Sequence, residues 1–384
     1  MLLIKNGELY APEYQGKKDI LVEGSIISMV EPGIQIEGIQ QLKIINASDM
    51  LVMPGIVDAH VHIAGAGGEG GPATRTPEIQ LAELLQAGIT TVVGCLGTDG
   101  MTRSVESVLM KVKSLRTQGI SAWMYTGAYQ VPTPTITGEV GKDIALIEEV
   151  IGAGEIALSD HRSSGPSTNE LIRLVAHARV GGMLGGKSGI VNIHMGDARD
   201  PFHPIHEAAR NSELSYKQFY PTHCNRNTYI FKEAKEYGKK GWIDLTTSSY
   251  PYFPEDEVKP SQAVKELLEA GVPLAHISMS SDANGSLPKF DEEGKLLQLE
   301  MGRPGSMLQE VRDITELGIG IPDAISTVTC NPSEILGLTK KGYVSEGMDA
   351  DLLITDKHLG LVQLVALGNV MVENGILLRK GNYE

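Results

Sequence analysis

The fold is decided by the stretch Pro54-Gly55-Ile56-Val57-Asp58-Ala59-His60-Val61-His62, which leads into a glycine-rich run over residues 63–71. Apolar and polar residues alternate here as in a β-strand, so His60 and His62, two positions apart, point to the same face. Two histidines can share a face by chance. This pair, however, closes a strand and opens a glycine loop, which is where α/β enzymes carry their reactive groups. We therefore interpret both as metal ligands.

Composition limits the class of partner. With a net charge of -15 the chain lacks the clustered Lys and Arg that a nucleic acid or an anionic membrane requires. The three cysteines, Cys95, Cys224 and Cys330, are widely spaced and indicate neither a disulfide framework nor a zinc ribbon. No apolar run approaches the roughly 20 residues that span a bilayer. We expect a cytoplasmic protein with a small-molecule substrate and neither a nucleic-acid nor a membrane partner.

From residue 54 onward, strands alternate with helical patterns. The predicted strands are 56–62, 89–93, 122–126, 155–159, 189–194, 218–223, 242–247 and 276–281. The predicted helices are 77–86, 104–117, 142–151, 168–179, 228–237 and 260–269. Eight strands alternating with helices predict an α/β fold, specifically a (β/α)8 TIM barrel over residues 54–342.

The two ends of the chain have a different sequence pattern from the barrel region. Residues 1–53 and 343–384 show short apolar runs separated by glycine turns, which predict strands. We expect the two ends to pair into one small β domain, a β-sandwich beside the barrel. Between the eighth strand and this C-terminal part, a helical region is expected to extend to about Leu338.

Side chains that bind metals collect at the predicted strand ends. Any one of them has a structural alternative: a buried core histidine, a turn residue or an ordinary surface charge. Five of the six candidates fall at predicted strand ends, which is too regular for chance. Imidazole and carboxylate groups suit zinc or another first-row divalent ion. The candidate metal ligands are His60, His62, Glu155, His194, His223 and Asp282.

The pattern "PGIVDAHVH" (54–62), together with "SSDANGS" (280–286), resembles the amidohydrolase superfamily of metal-dependent hydrolases. Longer strings, spread over nearly the whole chain, resemble the bacterial isoaspartyl (β-aspartyl) dipeptidases. These strings are "GGEGGP" (67–72), "RTPE" (75–78), "LGTDG" (96–100), "TGAY" (126–129), "SDHRS" (159–163) and "PTHCNRN" (221–227).

The resemblance implies a mechanism. Two zinc ions would share a bridging hydroxide that attacks the side-chain amide of a β-aspartyl dipeptide. Asp282 would act as general base and then general acid, and Tyr129 would polarise the carbonyl or stabilise the oxyanion. One ion would be held by His60, His62 and Asp282, and the other by His194 and His223.

The resemblance also implies a substrate site and an assembly. Glu69 would bind the free amino group of the substrate, and Arg162 and Arg226 would clamp its carboxylates. Further hydrogen bonds are expected from Gly67, Thr98 and Ser286, although Thr98 and Ser286 lie in turn-rich segments and could serve only the backbone. The family forms large homo-oligomers, so a homo-oligomer is expected, with an octamer as one such assembly.

One position departs from the family. Where known members carry a lysine that becomes carboxylated and bridges the metals, this chain has Glu155. Glutamate would then supply the bridging carboxylate directly. Because its side chain is shorter than a carboxylated lysine, a site with one metal is the alternative to a site with two.

Three other interpretations remain to be compared. The string "GAGGEG" (65–70) matches a dinucleotide-binding pattern, but the next strand, 89–93, has no acidic residue at its end to bind a ribose. A second possibility keeps the superfamily with another substrate, as in a dihydroorotase, a hydantoinase or an N-acyl-amino-acid deacylase. The third is a non-catalytic, hydantoinase-like scaffold, which the complete ligand set disfavours.

Overall fold

The computed structural model describes residues 1–36, 38–291 and 293–384. Its strands are β1 (Leu2–Tyr10), β2 (Tyr14–Glu23), β3 (Ile26–Glu31), β4 (Lys43–Asn46), β5 (Leu51–Pro54), β6 (Ile56–Val61), β7 (Ile89–Gly94), β8 (Ser121–Thr126), β9 (Val150–Leu158), β10 (Ile190–Met195), β11 (Phe219–Thr222), β12 (Ile243–Thr246), β13 (Ile277–Ser280), β14 (Ser286–Phe290), β15 (Leu296–Met301), β16 (Leu352–Thr355), β17 (Leu361–Ala366), β18 (Asn369–Glu373) and β19 (Ile376–Leu377). Its α-helices are α1 (Leu81–Gln86), α2 (Val105–Gln118), α3 (Val140–Leu146), α4 (Thr168–Gly185), α5 (His203–Arg210), α6 (Thr228–Tyr237), α7 (Pro260–Glu269), α8 (Ser306–Glu316), α9 (Ile321–Ser326) and α10 (Cys330–Leu336).

Eight parallel strands form a TIM-barrel-like core. Strands β6 to β11 pair in chain order in one parallel sheet, and β12 pairs with β13. Main-chain hydrogen bonds join the remaining seams: the Asp282 amide donates to the His60 carbonyl over 3.1 Å, and the Cys224 amide donates to the Asp244 carbonyl over 3.1 Å. All eight predicted barrel strands are therefore confirmed, and their carboxyl ends meet on one face.

The helices pack around this barrel through apolar stripes. In α4 the buried face consists of Leu171, Leu174, Val175 and Ala178, spaced three or four residues apart as a helix requires. The helix begins with a capping box, in which the Ser167 hydroxyl and the Glu170 carboxylate satisfy exposed amide groups. Among the helices in the described part of the chain, none is both long enough and apolar enough to cross a membrane.

The two ends of the chain form one nine-stranded sheet. Its order is β19-β18-β17-β16-β5-β1-β2-β3, with β4 also paired to β1. The central contact is the antiparallel pair β5 and β16, which come from opposite ends of the sequence. Apolar side chains from both ends share one core, for example Ile4, Val52 and Ile354. The expected pairing of the two ends is thus observed, whereas the sandwich arrangement and the domain boundaries stay predictions.

The fourth barrel strand differs from its predicted bounds. Strand β9 begins at Val150, so Glu155 lies inside it and not at its start, and α3 ends before the predicted helix 142–151 does. Glycines allow this close pairing with β10. A Cβ on Gly154, whose φ is +152°, would lie only 2.8 Å from the Asn192 Cβ. A run that contains glycine at alternate positions carries little strand signal, which explains the error.

Two further elements were not predicted. Strands β14 and β15 pair as a hairpin where a helical region was expected, and α5 follows strand β10. The hairpin is stabilised near its turn by the Asp291 carboxylate, which accepts hydrogen bonds from the Glu293 and Lys295 amides over 3.0 and 2.8 Å. Its strands alternate weakly because both faces are only partly buried.

A buried lysine connects the C-terminal part of the chain to the barrel. The Lys341 ammonium lies 2.6 Å from the Ser121 hydroxyl at the start of β8, 2.6 Å from the Asp351 carboxylate and 2.8 Å from that of Asp349. The lysine side chain is 2% exposed. Burial raises the pKa of Asp351, and the neighbouring ammonium counteracts this effect.

We expect the substitution Lys341→Met to destabilise the fold by about 3–5 kcal/mol, since it leaves the Asp351 carboxylate buried without its cation. Urea unfolding of the variant, compared with the exposed neighbour variant Lys340→Met, measures this cost. Equal unfolding midpoints for the two variants would show that the ion pair does not stabilise the connection.

Candidate active site

The carboxylate of Glu155 lies between two pairs of histidines. Its Oε1 atom is 2.6 Å from His194 Nδ1 and 3.0 Å from His223 Nε2. Its Oε2 atom is 3.5 Å from His60 Nε2 and 3.7 Å from His62 Nε2. Each oxygen of one carboxylate therefore faces a different pair of imidazoles, as a bridging ligand would.

The chemistry of this group fits a metal ion. Two carboxylate oxygens, Glu155 Oε2 and Asp282 Oδ1, are buried and have no hydrogen-bond partner within the described residues. The Asp282 oxygen lies 3.1 Å from His62 Nε2 and 3.7 Å from His60 Nε2. A buried charged oxygen without a partner is costly, and a cation would relieve that cost. Imidazole and carboxylate donors at this spacing could hold a first-row divalent ion.

A surrounding layer of polar groups orients the histidines. His60 Nδ1 lies 3.0 Å from Asn192 Oδ1, and His223 Nδ1 lies 2.6 Å from the Thr246 hydroxyl. These contacts leave both Nε2 atoms directed at Glu155. Outer contacts of this kind are what fix the ring orientation and tautomer of metal-binding histidines.

Backbone conformation also singles out this region. His223 has φ +61° and Asp282 has φ +53°, both in the left-handed region that residues other than glycine rarely adopt. Such conformations cost on the order of 1–3 kcal/mol each and concentrate at functional sites. Gly97 makes room for the cluster, because a Cβ at that position would lie 2.8 Å from His62 Cε1.

Electrostatics keep the two central carboxylates ionised. Burial alone would raise the pKa of Glu155, but the charges of His60 and His194 outweigh it and hold that pKa well below its usual range. Burial is likewise outweighed at Asp282, whose pKa is lowered by His62 and the other histidines. Tyr129 behaves oppositely: burial and the Glu155 charge raise its pKa well above the ordinary value, so it stays a neutral phenol that donates hydrogen bonds.

The cluster opens into a cavity of about 680 Å³. Most of the predicted site residues line it. His60 lies behind, fully buried, and Gly67 is not one of the described residues that line the cavity; its backbone pairs with Arg75. The predicted residues on the cavity wall are His62, Glu69, Thr98, Tyr129, Glu155, Arg162, His194, His223, Arg226, Asp282 and Ser286.

Opposite charges meet on the wall beside the histidines. Arg162 Nη1 lies 3.2 Å from Glu69 Oε1, while the other Glu69 oxygen is buried without a hydrogen-bond partner in the described structure. Asp160 holds Arg162 through two contacts of 3.0 Å. Arg226 Nη1 lies 3.3 Å from His194 Nε2. An unpaired carboxylate oxygen and two guanidinium groups thus face the same space.

Several residues at the site escaped the sequence analysis. Cys95 directly follows β7 and lies beside His60. Asp160, in the "SDHRS" string, contacts both Arg162 and His194 Nε2, the latter at 3.1 Å. The other residues of that string, which carry the family resemblance, could have indicated Asp160 as a site residue. Cys95 and Glu257 carry no spacing signal of their own.

The hairpin β14–β15 supplies an apolar wall. Leu287 and Phe290 face the cavity together with Phe253 from the loop after β12. The Phe290 ring stacks edge-on against His161 at 4.8 Å and lies 6.0 Å from the Arg162 guanidinium. The cavity therefore has a charged end beside the histidines and an apolar side formed by the hairpin.

Comparison with known proteins agrees with this geometry. The family model described as "Amidohydrolase family" matches residues 204–377. The crystal structure of the β-aspartyl dipeptidase from Fervidobacterium islandicum AW-1 in complex with β-Asp-Leu is 39% identical, with a TM-score of 0.91 over 98% of both chains. The chain therefore belongs to the amidohydrolase family. Within that family, the resemblance to the β-aspartyl dipeptidases is confirmed.

The curated relatives carry the name of a different enzyme, dihydroorotase. The dihydroorotase of Streptococcus pyogenes serotype M3 is 31% identical over 165 residues, which is 42% of this chain but only 35% of that enzyme. The dihydroorotase of Lactobacillus johnsonii is 24% identical over 92% of this chain and 88% of that enzyme. The family match and the dipeptidase structure support a hydrolytic enzyme.

A carboxyl group in the cavity predicts a pH effect on stability. Burial raises the pKa of Glu257 to about 7, although the Ser249 hydroxyl and Arg226 counteract it. Between the unfolded value of about 4.3 and this folded value, the native state binds more protons than the unfolded state, so the unfolding free energy falls as pH rises.

The variant Glu257→Gln lacks this contribution. We therefore expect the difference in unfolding free energy, variant minus wild type, to rise by up to about 3 kcal/mol between pH 5 and 7 and to stay constant above pH 7. Urea unfolding of both proteins from pH 5 to 8 tests this, with the exposed Glu255→Gln as control. A difference that stays constant across the range would contradict it.

Proposed function

We propose that this chain hydrolyses β-aspartyl (isoaspartyl) dipeptides with zinc bound at the Glu155 cluster. The observation that carries the proposal is the pairing of that cluster with an unpartnered oxygen of Glu69 and the guanidinium groups of Arg162 and Arg226 in one cavity. A β-aspartyl dipeptide carries one ammonium and two carboxylates beside its scissile amide. The charges of the wall complement these groups.

The metal ligands follow from the distances. His60 and His62 face one oxygen of Glu155, while His194 and His223 face the other, so two ions are proposed, with Glu155 between them. When bound, zinc would lower the pKa of a water molecule and so supply a nucleophile at neutral pH. A single ion remains the alternative, because glutamate reaches less far than a carboxylated lysine.

Other side chains would act on the substrate. The Asp282 carboxylate accepts the proton that water loses as its oxygen attacks the amide carbon, and passes that proton to the leaving nitrogen as the C–N bond breaks. Tyr129 donates a hydrogen bond to the carbonyl oxygen. Glu69 binds the ammonium, and Arg162 and Arg226 bind the carboxylates.

Dihydroorotate hydrolysis is the second candidate, favoured by the names of the curated relatives. An arginine in the cavity would bind the carboxylate of dihydroorotate. Dihydroorotate has no ammonium group, however, so it would leave the buried Glu69 oxygen without a partner. The Glu69 carboxylate therefore favours the dipeptide.

The two candidates are separated by a direct assay. The zinc-loaded protein is incubated with β-Asp-Leu, with its α-linked isomer and with dihydroorotate, and zinc content per chain is measured in parallel. Cleavage of the β-linked dipeptide alone is the expected result. Turnover of dihydroorotate alone would replace the proposal with the second candidate, and turnover of none would overturn both.

We expect Asp282→Asn to lower kcat for β-Asp-Leu by about 100-fold or more, because an amide cannot accept the proton. Steady-state kinetics measures the change, and circular dichroism verifies that the fold persists. The exposed Asp323→Asn on α9 is the matched control. A rate within a few fold of wild type would exclude Asp282 as the proton carrier.

The apolar wall gives a prediction about the leaving residue. We expect Phe290→Ala to lower kcat/KM for β-Asp-Leu by about 10-fold while changing the value for β-Asp-Gly little, since only the leucine side chain loses contact. Leu297→Ala, exposed on the other strand of the same hairpin, serves as the control. Equal losses for both dipeptides would mean that Phe290 does not contact the leaving side chain.

A further inference from the structure

Cys95 directly follows strand β7 and lies against the ligand cluster. It is fully buried, and its Sγ atom lies 3.5 Å from His60 Nε2 and 3.9 Å from the nearer nitrogen of His62. The ligand atoms of His60, His62, Cys95 and Glu155 all lie within 4.8 Å of one another. The sulfur thus faces the same small space as the Glu155 Oε2 atom, which is buried and has no hydrogen-bond partner among the described residues.

The separations of the sulfur and carboxylate atoms from His60 Nε2 match a first coordination sphere, and those from His62 are a few tenths of an ångström longer. Zinc binds nitrogen and oxygen at about 2.0–2.2 Å and thiolate sulfur at about 2.3 Å, so two ligand atoms of a tetrahedral site lie about 3.3–3.6 Å apart. The separation of Sγ from His60 Nε2 is 3.5 Å, and that of Glu155 Oε2 from the same nitrogen is also 3.5 Å. Sulfur and carboxylate therefore stand at equivalent distances from His60.

The sulfur contacts of the other two cysteines differ from those of Cys95. Cys224 Sγ lies 3.4 Å from the Pro221 carbonyl, and Cys330 Sγ lies 3.5 Å from the Asn331 side-chain oxygen. Both of these sulfur atoms contact oxygen atoms. Cys95 also approaches the Val61 carbonyl, at 3.6 Å, but it differs in contacting two imidazoles directed at an unpaired carboxylate oxygen.

We propose that Cys95 is a thiolate ligand of the ion held by His60, His62 and Glu155. Binding replaces the thiol proton by the ion, and the proton passes to solvent. This inference rests on the proposed metal-dependent function and adds a sulfur donor to it. On this side the sulfur would join His60, His62 and Glu155, beside which Asp282 Oδ1 lies 3.1 Å from His62 Nε2, whereas Glu155, His194 and His223 form the other half of the cluster.

The proposal has a chemical consequence for metal choice. Thiolate is a soft donor that favours zinc, and a site of oxygen and nitrogen atoms alone would accept manganese or magnesium more readily. A sulfur ligand on the His60 side would therefore bias that half of the cluster toward zinc or cobalt. The His194 side, which lacks sulfur, would not share this bias.

Cobalt provides a readout independent of activity. The metal-free protein is loaded with Co²⁺, and its near-ultraviolet spectrum is examined for the thiolate-to-cobalt charge-transfer band. Wild type and the control Cys330→Ser should show the band, and Cys95→Ser should lose it. A band of full intensity in Cys95→Ser, or cobalt binding by wild type without a band, would overturn the proposal.

A measurement on the unchanged protein guards against a variant that fails to fold. X-ray absorption at the zinc edge of the wild type should show sulfur at about 2.3 Å, one sulfur for every two zinc ions when both halves are filled, and a spectrum with only nitrogen and oxygen neighbours would overturn the proposal. Assay with β-Asp-Leu separates the two hypotheses. A sulfur neighbour without hydrolysis rejects the proposed function alone, and hydrolysis without a sulfur neighbour rejects Cys95 alone.

Discussion

The carboxylate of Glu155 is fully buried yet ionised, and this condition constrains everything around it. An isolated buried carboxylate would cost several kcal/mol or would take up a proton. Here four imidazoles surround the carboxylate, two facing each oxygen. These histidines come from three different strand ends, so this arrangement exists only when the barrel is closed. The fold and the site are therefore coupled through one anion.

The same network extends from the cluster to the substrate side. Asp160 contacts His194 and also holds Arg162 in place through two charge-assisted hydrogen bonds. Arg162 in turn touches Glu69. A change in the position of His194 would thus shift the groups that are proposed to bind the substrate. The proposed metal site and the proposed substrate site therefore share supporting residues.

Local sequence patterns predicted the parts of the site that rest on strand periodicity. His60 and His62 follow from a two-residue repeat, and His194 and His223 from their places at strand ends. Glu155 was predicted as a candidate, but the predicted strand begins after the observed one because glycines at 152 and 154 weaken the pattern. Cys95 could not be predicted as part of the cluster, since its proximity to His60 arises from the pairing of neighbouring strands and not from spacing along the chain.

The hairpin β14–β15 was missed for a related reason. Its residues are half-buried on both faces and include Pro288, so they show neither a clear two-residue nor a helical repeat. Its role depends on where the barrel places it, over a cavity formed by other elements. Information of this kind lies in the tertiary arrangement. The fold class and the cluster around Glu155 were therefore easier to predict from sequence than the apolar wall of the cavity.

The connection between β5 and β6 has a consequence for the order of events during synthesis. A single residue, Gly55, separates the sheet strand β5 from the barrel strand that carries His60. Strand β5 is flanked by β1 and by β16, which is made some 300 residues later (352 − 54 = 298). The sheet beside the first histidines therefore remains incomplete on the ribosome until residues 352–377 emerge, so its completion is a late, long-range event.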